Sequence, residues 1–232
     1  YIVEGKRELT TKDNEIPERA FFNCRSIRNL ILPKTITSIG DGAFGRLSRL
    51  DSLDIPTGAD KSYLFDGKAL TTTDGTEVIA VLPNNKGDYA VAKGIKKVHD
   101  YAFSGCSKLT KIVLPNTITT IGDQVFSGNN ALGVIRLYSK TVPTLGRNAF
   151  TDISKSEVKL QIPSGTKNLY KRNAQWKDFD IVEFGTTVKA RSTVRPYGSE
   201  NPKFGWQLKG DYVEGTPELT CEATKTSPAG RY

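Results

Sequence analysis

The sequence predicts a repeat solenoid made mainly of β-strands, followed by a partial β-sandwich-like module. Three observations support this prediction. A short apolar motif recurs about every 23 residues, and a strand-like segment follows each copy at a nearly fixed distance. The composition, with 37% hydrophobic and 25% charged residues in 232, is ordinary for a folded chain, and no run approaches the roughly 18 apolar residues of a membrane-spanning helix. Direct insertion of this segment into a membrane is therefore not expected.

The recurring motif ends in an Ala-Phe pair or a close variant of it. Its alanine slot stands at positions 20, 43, 102, 125 and 149, so that successive copies are 23, 59, 23 and 24 residues apart. A branched aliphatic residue precedes each slot by four positions: Ile16, Ile39, Val98, Ile121 and Leu145. Repetition at this period indicates one structural unit per copy, and the 59-residue interval indicates one enlarged unit at about 57–97.

Each unit is predicted to supply one β-strand. About ten residues after the alanine slot, apolar and variable residues alternate, which is the period of a half-buried strand. The apolar pairs are Leu30 and Leu32, Leu53 and Ile55, Ile112 and Leu114, Ile135 and Leu137, and Leu160 and Ile162. In the first four units a further apolar residue stands three positions earlier, which gives the frame L-x-x-I-x-L that is typical of leucine-rich repeats.

The predicted fold is a right-handed coil of leucine-rich repeats. A unit of about 23 residues cannot bury its apolar face alone, so neighbouring units must stack into a continuous core. We expect the five strands to form one parallel sheet in sequential order. We also expect the rings of Phe44, Phe103 and Phe126 to stack on one another at the outer flank of the core.

The repeat also resembles a known family. The pattern from Val98 to Pro115, followed by Ile118 and Ile121, is similar to the BspA-like leucine-rich repeats of bacterial surface proteins, and the resemblance covers about residues 14–184. It implies a non-catalytic binding or adhesion segment that is secreted or lies on the cell surface. It also implies a broadened coil with an extra hairpin at about 57–97 and a C-terminal cap at about 163–184. In the enlarged unit, Asp66-Gly67 and Asp74-Gly75 are hairpin-turn signals.

A second domain is expected after the repeats, which divides the chain into residues 1–184 and 185–232. The composition shifts there to Thr, Val, Pro and Gly, and the segment resembles the MBG-type β-sandwich modules of bacterial surface proteins. Only 48 residues are left for this module, whereas a small sandwich usually has about 70 to 100. The chain also lacks an initial Met, so we expect it to be a piece of a longer protein.

The sequence contains no evident catalytic constellation, metal site or cofactor motif. His99 is the single histidine, and no nucleophile with an orienting acid is evident beside it. Cys24 and Cys106 share a slot that Leu and Ile fill in other repeats, so we expect buried free thiols there, and likewise at Cys221. The sequence has no phosphate-binding loop and no zinc motif. We therefore predict that the protein is not an enzyme and uses no cofactor or metal.

The sequence predicts that the protein functions by binding a partner through an exposed face of its sheet. The net charge of +8 is spread along the chain, so nucleic acid is not an expected partner. The residues between the apolar ones of each strand should face outward and form a concave binding sheet. They are Asn29, Ile31, Ser52, Asp54, Lys111, Val113, Val134, Arg136, Lys159 and Gln161.

The expected partner is a host or matrix protein or an acidic glycan, and the chain is expected to be a monomer. For an acidic glycan, Lys111, Arg136 and Lys159 would present a row of positive charge on successive strands. Two alternatives stay open. In one, the tail module binds glycan or mucin; in the other, the repeats are a passive stalk that presents other domains.

Overall fold

The protein is a β-solenoid of about seven turns with a period of about 23 residues, which confirms the predicted fold class. The computed structural model describes residues 2–3, 6–8, 14–33, 35–55, 62–185, 187–191, 197–200, 205–209 and 227. In chain order the strands are β1 (Ile2–Val3), β2 (Lys6–Glu8), β3 (Glu15–Ile16), β4 (Asn29–Ile31), β5 (Ser38–Ile39), β6 (Ser52–Asp54), β7 (Tyr63–Phe65), β8 (Ala69–Thr72), β9 (Glu77–Val81), β10 (Gly87–Ala90), β11 (Lys97–Val98), β12 (Leu109–Leu114), β13 (Thr120–Ile121), β14 (Val134–Leu137), β15 (Thr144–Leu145), β16 (Lys159–Pro163), β17 (Asp180–Phe184), β18 (Thr187–Ala190) and β19 (Trp206–Lys209). A 3-10 turn (Lys155–Glu157) and a short helix, α1 (Lys167–Arg172), lie near the end of the array.

The strands predicted from the sequence lie in two sheets rather than one. β2, β4 and β6 form a parallel stack, in which Leu30 is beside Leu53. β10, β12, β14, β16 and β17 form a parallel five-stranded sheet, in which Ile112, Ile135 and Leu160 lie side by side. The order and direction of the strands within each sheet are confirmed. The prediction of a single sheet is wrong, because β10 of the enlarged unit, and not β6, is the neighbour that precedes β12.

The enlarged unit contains the predicted hairpin and also a coil that the sequence pattern did not show. β7, β8 and β9 are antiparallel neighbours, joined by turns at the two Asp-Gly pairs. β9 then lies parallel to β11, with Val78 beside Val98. β10 places Tyr89 beside Ile112, which stands 23 residues later. The unit therefore holds a further repeat without an Ala-Phe pair, in which a buried tyrosine replaces the aliphatic residue of the strand.

Buried side chains form two clusters that meet at this hairpin. The first contains Phe21 and Phe44, and the second contains Phe103, Phe126 and Phe150. The hairpin strands and the residue after them supply both clusters: Leu70, Ile79, Ala80 and Leu82 belong to the first, and Ala69, Val78 and Val81 to the second. Because its side chains serve two cores, the hairpin is a partition within the solenoid rather than a surface loop.

The partition explains why one predicted aromatic contact is wrong. Phe44 stacks on Phe21, with ring centroids 5.8 Å apart, and not on Phe103. Phe103 instead contacts Tyr89 of the enlarged unit at 5.4 Å. The predicted contact of Phe103 with Phe126 is confirmed at 5.6 Å, and Phe126 stacks in turn on Phe150 at 5.0 Å.

Each Ala-Phe turn uses left-handed backbone at two fixed slots. The residue before the alanine slot has a φ between 48° and 66° in all five repeats: Arg19, Gly42, Tyr101, Gln124 and Asn148. The third residue after the slot also has a positive φ: Asn23, Arg46, Gly105, Gly128 and Asp152. Bulky residues adopt this conformation at a cost. Hydrogen bonds between neighbouring coils hold them there, such as the one that the Tyr101 N–H donates to the Asp123 carbonyl at 2.9 Å.

Aromatic side chains fill the end of the array. Tyr170 and Trp176 are fully buried, and the Trp176 indole donates a hydrogen bond to the Pro143 carbonyl at 3.2 Å. The rings of Trp176 and Phe179 contact Phe150 at 5.7 and 4.8 Å. Phe103, Phe126 and Phe150 form a row of contacting rings that we call the aromatic ladder, and these contacts extend it into the segment predicted as the cap.

Little of the predicted second domain falls within the described residues. β18 and β19 form an antiparallel pair, with Val188 beside Leu208. Cys221 and most of the MBG-type module lie outside the described residues, so that module stays a prediction. Across the part of the chain that the structure describes, no helix has the length and apolar character needed to cross a membrane.

Cys24 and Cys106 are free thiols in different surroundings. Cys106 is completely buried, as predicted, and burial raises the pKa of its thiol. Cys24 is only half-buried, so the prediction of burial is wrong for this residue. Ala20, in the same Ala-Phe turn, is exposed as well.

Cys24 is expected to react with a thiol reagent in the folded protein, whereas Cys106 should react only after unfolding. The reason is that the thiolate is the reactive species, and burial disfavours it at Cys106. A Cys221→Ser variant leaves these two thiols for titration with a chromogenic disulfide in the absence of reductant. The expected count is one thiol before unfolding and two after it. Two reactive thiols in the folded protein would contradict the buried slot, and none in the unfolded protein would show a disulfide.

Candidate binding surface

The ten residues predicted for the binding sheet point away from the core. Asn29, Ser52, Asp54 and Lys159 are exposed, and the other six are half-buried. Strand alternation places them there, because the residues between them, such as Leu30 and Leu53, are buried. Their orientation agrees with the prediction, and their ligand binding stays a prediction.

β4 and β6 present mainly polar side chains outward, with Ile31 as the apolar exception. The Ser52 hydroxyl donates a hydrogen bond to Asn29 Oδ1 at 2.7 Å, and Arg28 pairs with Asp51 at 2.9 Å. These side chains satisfy one another, and no aromatic ring stands among the outward residues of β4 and β6. The outward surface of β4 and β6 has the polar character that a passive stalk would show.

The outward residues of the five-stranded sheet lie in two rows. The strand register places Asp88, Lys111, Val134, Lys159 and Asp180 in one row. The other row consists of Ala90, Val113, Arg136, Gln161 and Val182. The predicted single row of three positive charges is therefore wrong, because Arg136 lies in the row next to the two lysines.

The three basic residues also differ in whether a carboxylate pairs with them. Lys111 Nζ lies 3.0 Å from Asp88 Oδ2, so a carboxylate of the preceding strand offsets its charge. Among the described residues, neither Lys159 nor Arg136 has an ion-pair partner. Arg136 therefore carries unpaired positive charge on β14, the middle strand of the sheet, while Lys159 on β16 stands beside Asp180 of β17 without a described ion pair.

Four of the outward side chains form what we call the Arg136 cluster: Arg136, Tyr138, Gln161 and Phe184. Arg136 Nε donates a hydrogen bond to Gln161 Oε1 at 2.7 Å, and its guanidinium carbon lies 4.7 Å from the centre of the Phe184 ring. Tyr138 meets Phe184 edge to face, with centroids 5.1 Å apart and an interplanar angle of 75°. Tyr138 is 43% exposed and the other three are half-buried.

The sequence prediction included Arg136 and Gln161 but missed the two aromatic members. Tyr138 follows β14 at the position where Pro33, Pro56, Pro115 and Pro163 end the other strands. A departure from an otherwise regular proline slot is the signal that could have identified it. Phe184 ends β17, and it joins the cluster because β17 pairs in register with β16.

His99 has carboxylate partners that the sequence did not reveal. Its Nδ1 lies 2.7 Å from Asp41 Oδ1, and its Nε2 contacts Glu77 Oε2. Both ring nitrogens are therefore engaged, and His99 ties the second Ala-Phe turn to β9. The two carboxylates lie at opposite edges of the ring, so this group cannot surround one metal ion, and the described residues contain no cluster that could.

The neighbouring Asp100 has a perturbed pKa. Burial raises the pKa of Asp100, and the negative charges of Asp41 and Asp123 add to this effect, while a hydrogen bond from the Asp123 N–H opposes it. The described hydrogen bonds of His99 and Asp100 join residues of different coils, so this group links neighbouring coils.

The stacked strands, repeated Ala-Phe turns and shared core define a leucine-rich repeat solenoid. The chain matches the family described as the BspA type leucine-rich repeat region in six copies, over residues 8–85 and 89–190. It therefore belongs to the BspA-type leucine-rich repeat family, as the residue pattern implied.

Solved structures share this fold. A leucine-rich repeat protein of Eubacterium ventriosum is 20% identical, with a TM-score of 0.51 over 69% of this chain and 49% of the other. A leucine-rich cell surface protein of Faecalibacterium prausnitzii is 18% identical, with a TM-score of 0.51 over 73% of this chain and 50% of the other. At these identities the likeness shows the fold alone, and the chain spans about half the length of both structures. No curated protein matches the chain.

Proposed function

We propose that this chain is a non-catalytic binding or adhesion segment of a secreted or cell-surface bacterial protein. Its interaction face is the outward side of the five-stranded sheet, and the Arg136 cluster is the observation that carries the proposal. Membership of the BspA-type family supports a role in interaction or adhesion. The described cell-surface location of the Faecalibacterium prausnitzii protein of the same fold supports the location.

The Arg136 cluster has the composition of an energetically important binding site. Tyr and Arg are enriched among the few residues that dominate the free energy of binding at interfaces. Arg136 is already oriented by Gln161 and Phe184, so it loses less conformational freedom when it meets a partner. Tyr138 offers an exposed ring beside it. A preorganised cation next to an exposed aromatic ring suits a partner with an anionic or polar group and an apolar surface.

The partner of this face is a host or matrix protein or an acidic glycan, bound by a monomer. Lys111, Val113, Val134 and Lys159 lie on the same sheet as the cluster and contribute complementarity rather than most of the binding energy. Asn29, Ile31, Ser52 and Asp54 lie on the other sheet, away from this face. A passive stalk is the second candidate function. The polar, mutually satisfied surface of β4 and β6 favours it for the first half of the array.

An Arg136→Ala, Tyr138→Ala double variant is expected to lose most of the binding of this chain to an array of glycans and extracellular-matrix proteins. Loss of two central contacts should weaken binding by about 30-fold, which corresponds to roughly 2 kcal/mol. The matched control is Arg28→Ala, which removes an exposed arginine that is already paired with Asp51. It should bind like the parent.

The array result separates the two candidate functions. Binding by the parent that is lost in the double variant and kept in the control supports the interaction face. Equal binding by the parent and the double variant rejects the Arg136 cluster as the site. No binding by the parent to any member of the array favours the stalk.

A further inference from the structure

We infer that the Arg136 cluster recognises the carboxylate of a hexuronate residue in an acidic glycan. This inference rests on the proposed function and names the chemistry of its ligand. It is argued from the unused donors of Arg136, the exposed ring of Tyr138, the distribution of charge and the pairing of the strands.

The guanidinium of Arg136 is held in place while part of it stays available. Its Nε donates a hydrogen bond to Gln161, and its guanidinium lies over the Phe184 ring. The two terminal nitrogens of the guanidinium have no hydrogen-bond partner among the described residues. A planar guanidinium edge presents parallel N–H groups that match the two oxygens of a carboxylate. The free end of Arg136 is therefore a preformed carboxylate receptor.

Tyr138 supplies a surface for a sugar ring beside that receptor. The Tyr138 ring meets Phe184 edge to face, is 43% exposed, and its hydroxyl has no hydrogen-bond partner among the described residues. A pyranose has apolar C–H groups on its faces, and these pack on aromatic rings, while its hydroxyls accept and donate hydrogen bonds. In a hexuronate the carboxylate is equatorial, so it leaves the ring face free to pack on Tyr138.

The surrounding charge favours an anionic sugar over a neutral one. Lys159 lies in the row next to Arg136 and has no described ion-pair partner, whereas the charge of Lys111 is offset by Asp88. The acidic residues of the sheet lie on its two outer strands, Asp88 on β10 and Asp180 and Glu183 on β17, and Asp180 stands beside Lys159 without a described ion pair. A polymer with repeated carboxylates can therefore meet Arg136 on the middle strand and Lys159 on the strand beside it.

The strand pairing disfavours an extended acidic peptide at the same place. A peptide that binds by strand addition needs an unpaired strand edge. β14 and β16, which carry Arg136 and Gln161, are each paired on both sides. Only side chains are available at the cluster, and one guanidinium with one exposed ring matches a single sugar residue.

The test is calorimetric titration of the whole chain with a hyaluronan hexasaccharide and with the methyl ester of the same hexasaccharide. The parent should bind the acid weakly. Esterification should weaken binding by at least about tenfold, because the ester has no negative charge and no longer offers two equivalent oxygens to the guanidinium. Binding of the acid should also fall steeply with salt, because exposed charges are screened beyond about 8 Å at physiological ionic strength.

Two variants assign the effect to the cluster. Arg136→Lys keeps the charge and removes the planar fork, and Tyr138→Ala removes the ring; each should weaken binding of the acid by about tenfold. Arg28→Lys is the matched control and should bind like the parent. Thermal unfolding of each variant shows that the fold is intact.

The outcomes distinguish this inference from the proposed function. Equal affinity for the hexasaccharide and its methyl ester, or no affinity for either, overturns the inference that the ligand is a hexuronate. Tighter binding of a polyglutamate peptide than of the hexasaccharide, with loss in Arg136→Lys, also overturns it and assigns the face to acidic protein. In each of these cases the proposed interaction face still stands if the array binding depends on Arg136 and Tyr138, and it falls only if that dependence is absent.

Discussion

Replacing Phe103 with alanine is expected to lower the free energy of unfolding by about 3 to 5 kcal/mol. The Phe103 side chain is completely buried, and its ring contacts Phe126 at 5.6 Å and Tyr89 at 5.4 Å. These two rings come from the coils on either side, so the smaller side chain leaves a cavity between coils that stacked backbones cannot close. Equilibrium unfolding in urea measures the change.

The matched control is Leu169→Ala on α1. Leu169 is 50% exposed, so its truncation should change the free energy of unfolding by less than about 0.5 kcal/mol. A loss below about 1 kcal/mol for Phe103→Ala would show that the second core relaxes around the missing ring. A comparable loss in both variants would show that the effect is not specific to the aromatic ladder.

The repeat positions could be predicted from the sequence because local periodicity reports burial directly. Leu30, Leu53 and Ile112 each alternate with outward residues along their own strand, and each is buried at its predicted place. A side chain in this pattern faces the core whichever neighbour it meets, so no knowledge of the neighbour is required. The same rule oriented the outward residues of the strands correctly.

The neighbours themselves could not be predicted, because they depend on pairing across the enlarged unit. Tyr89 does not resemble the aliphatic residues of the repeat, so the coil that contains it was hidden from the pattern. That hidden coil and the β7–β9 hairpin divide the core and separate Phe44 from Phe103. A pattern search finds copies of a repeat, and it does not show which copies touch.

The candidate site shows the same limit at the level of side chains. Arg136 and Gln161 are outward by strand alternation, but their hydrogen bond depends on the one-to-one register of β14 and β16. Phe184 reaches Arg136 and Tyr138 only because β17 pairs with β16 after the buried aromatic cap. The pairing of Lys111 with Asp88 likewise required β10, which the sequence did not identify as a strand of this sheet.

Replacing Gly122 with alanine is expected to lower the free energy of unfolding by about 3 kcal/mol. Gly122 belongs to the slot that Gly40 and Gly146 share, directly after the inward aliphatic residue of the return strand. A Cβ at position 122 would contact the Asp100 carboxylate and lie 2.6 Å from the Asp100 backbone nitrogen. Backbone atoms cannot rotate away as a flexible side chain can, so the two coils must separate. Separation also stretches the hydrogen bond that the Gly122 N–H donates to the Val98 carbonyl at 2.9 Å.

The control for this effect is Gly133→Ala, in the turn before β14. The nearest atom to a Cβ at position 133 is the Thr110 carbonyl oxygen at 3.9 Å, which is an ordinary contact distance. Since both variants add one methyl group to the same repeat, their difference in urea unfolding isolates the close approach of the coils. Equal stability of the two variants would mean that the coils lie farther apart at Gly122 than the structure shows. A loss confined to Gly122→Ala would establish that the absence of a Cβ at position 122 permits the close approach of these two turns of the solenoid.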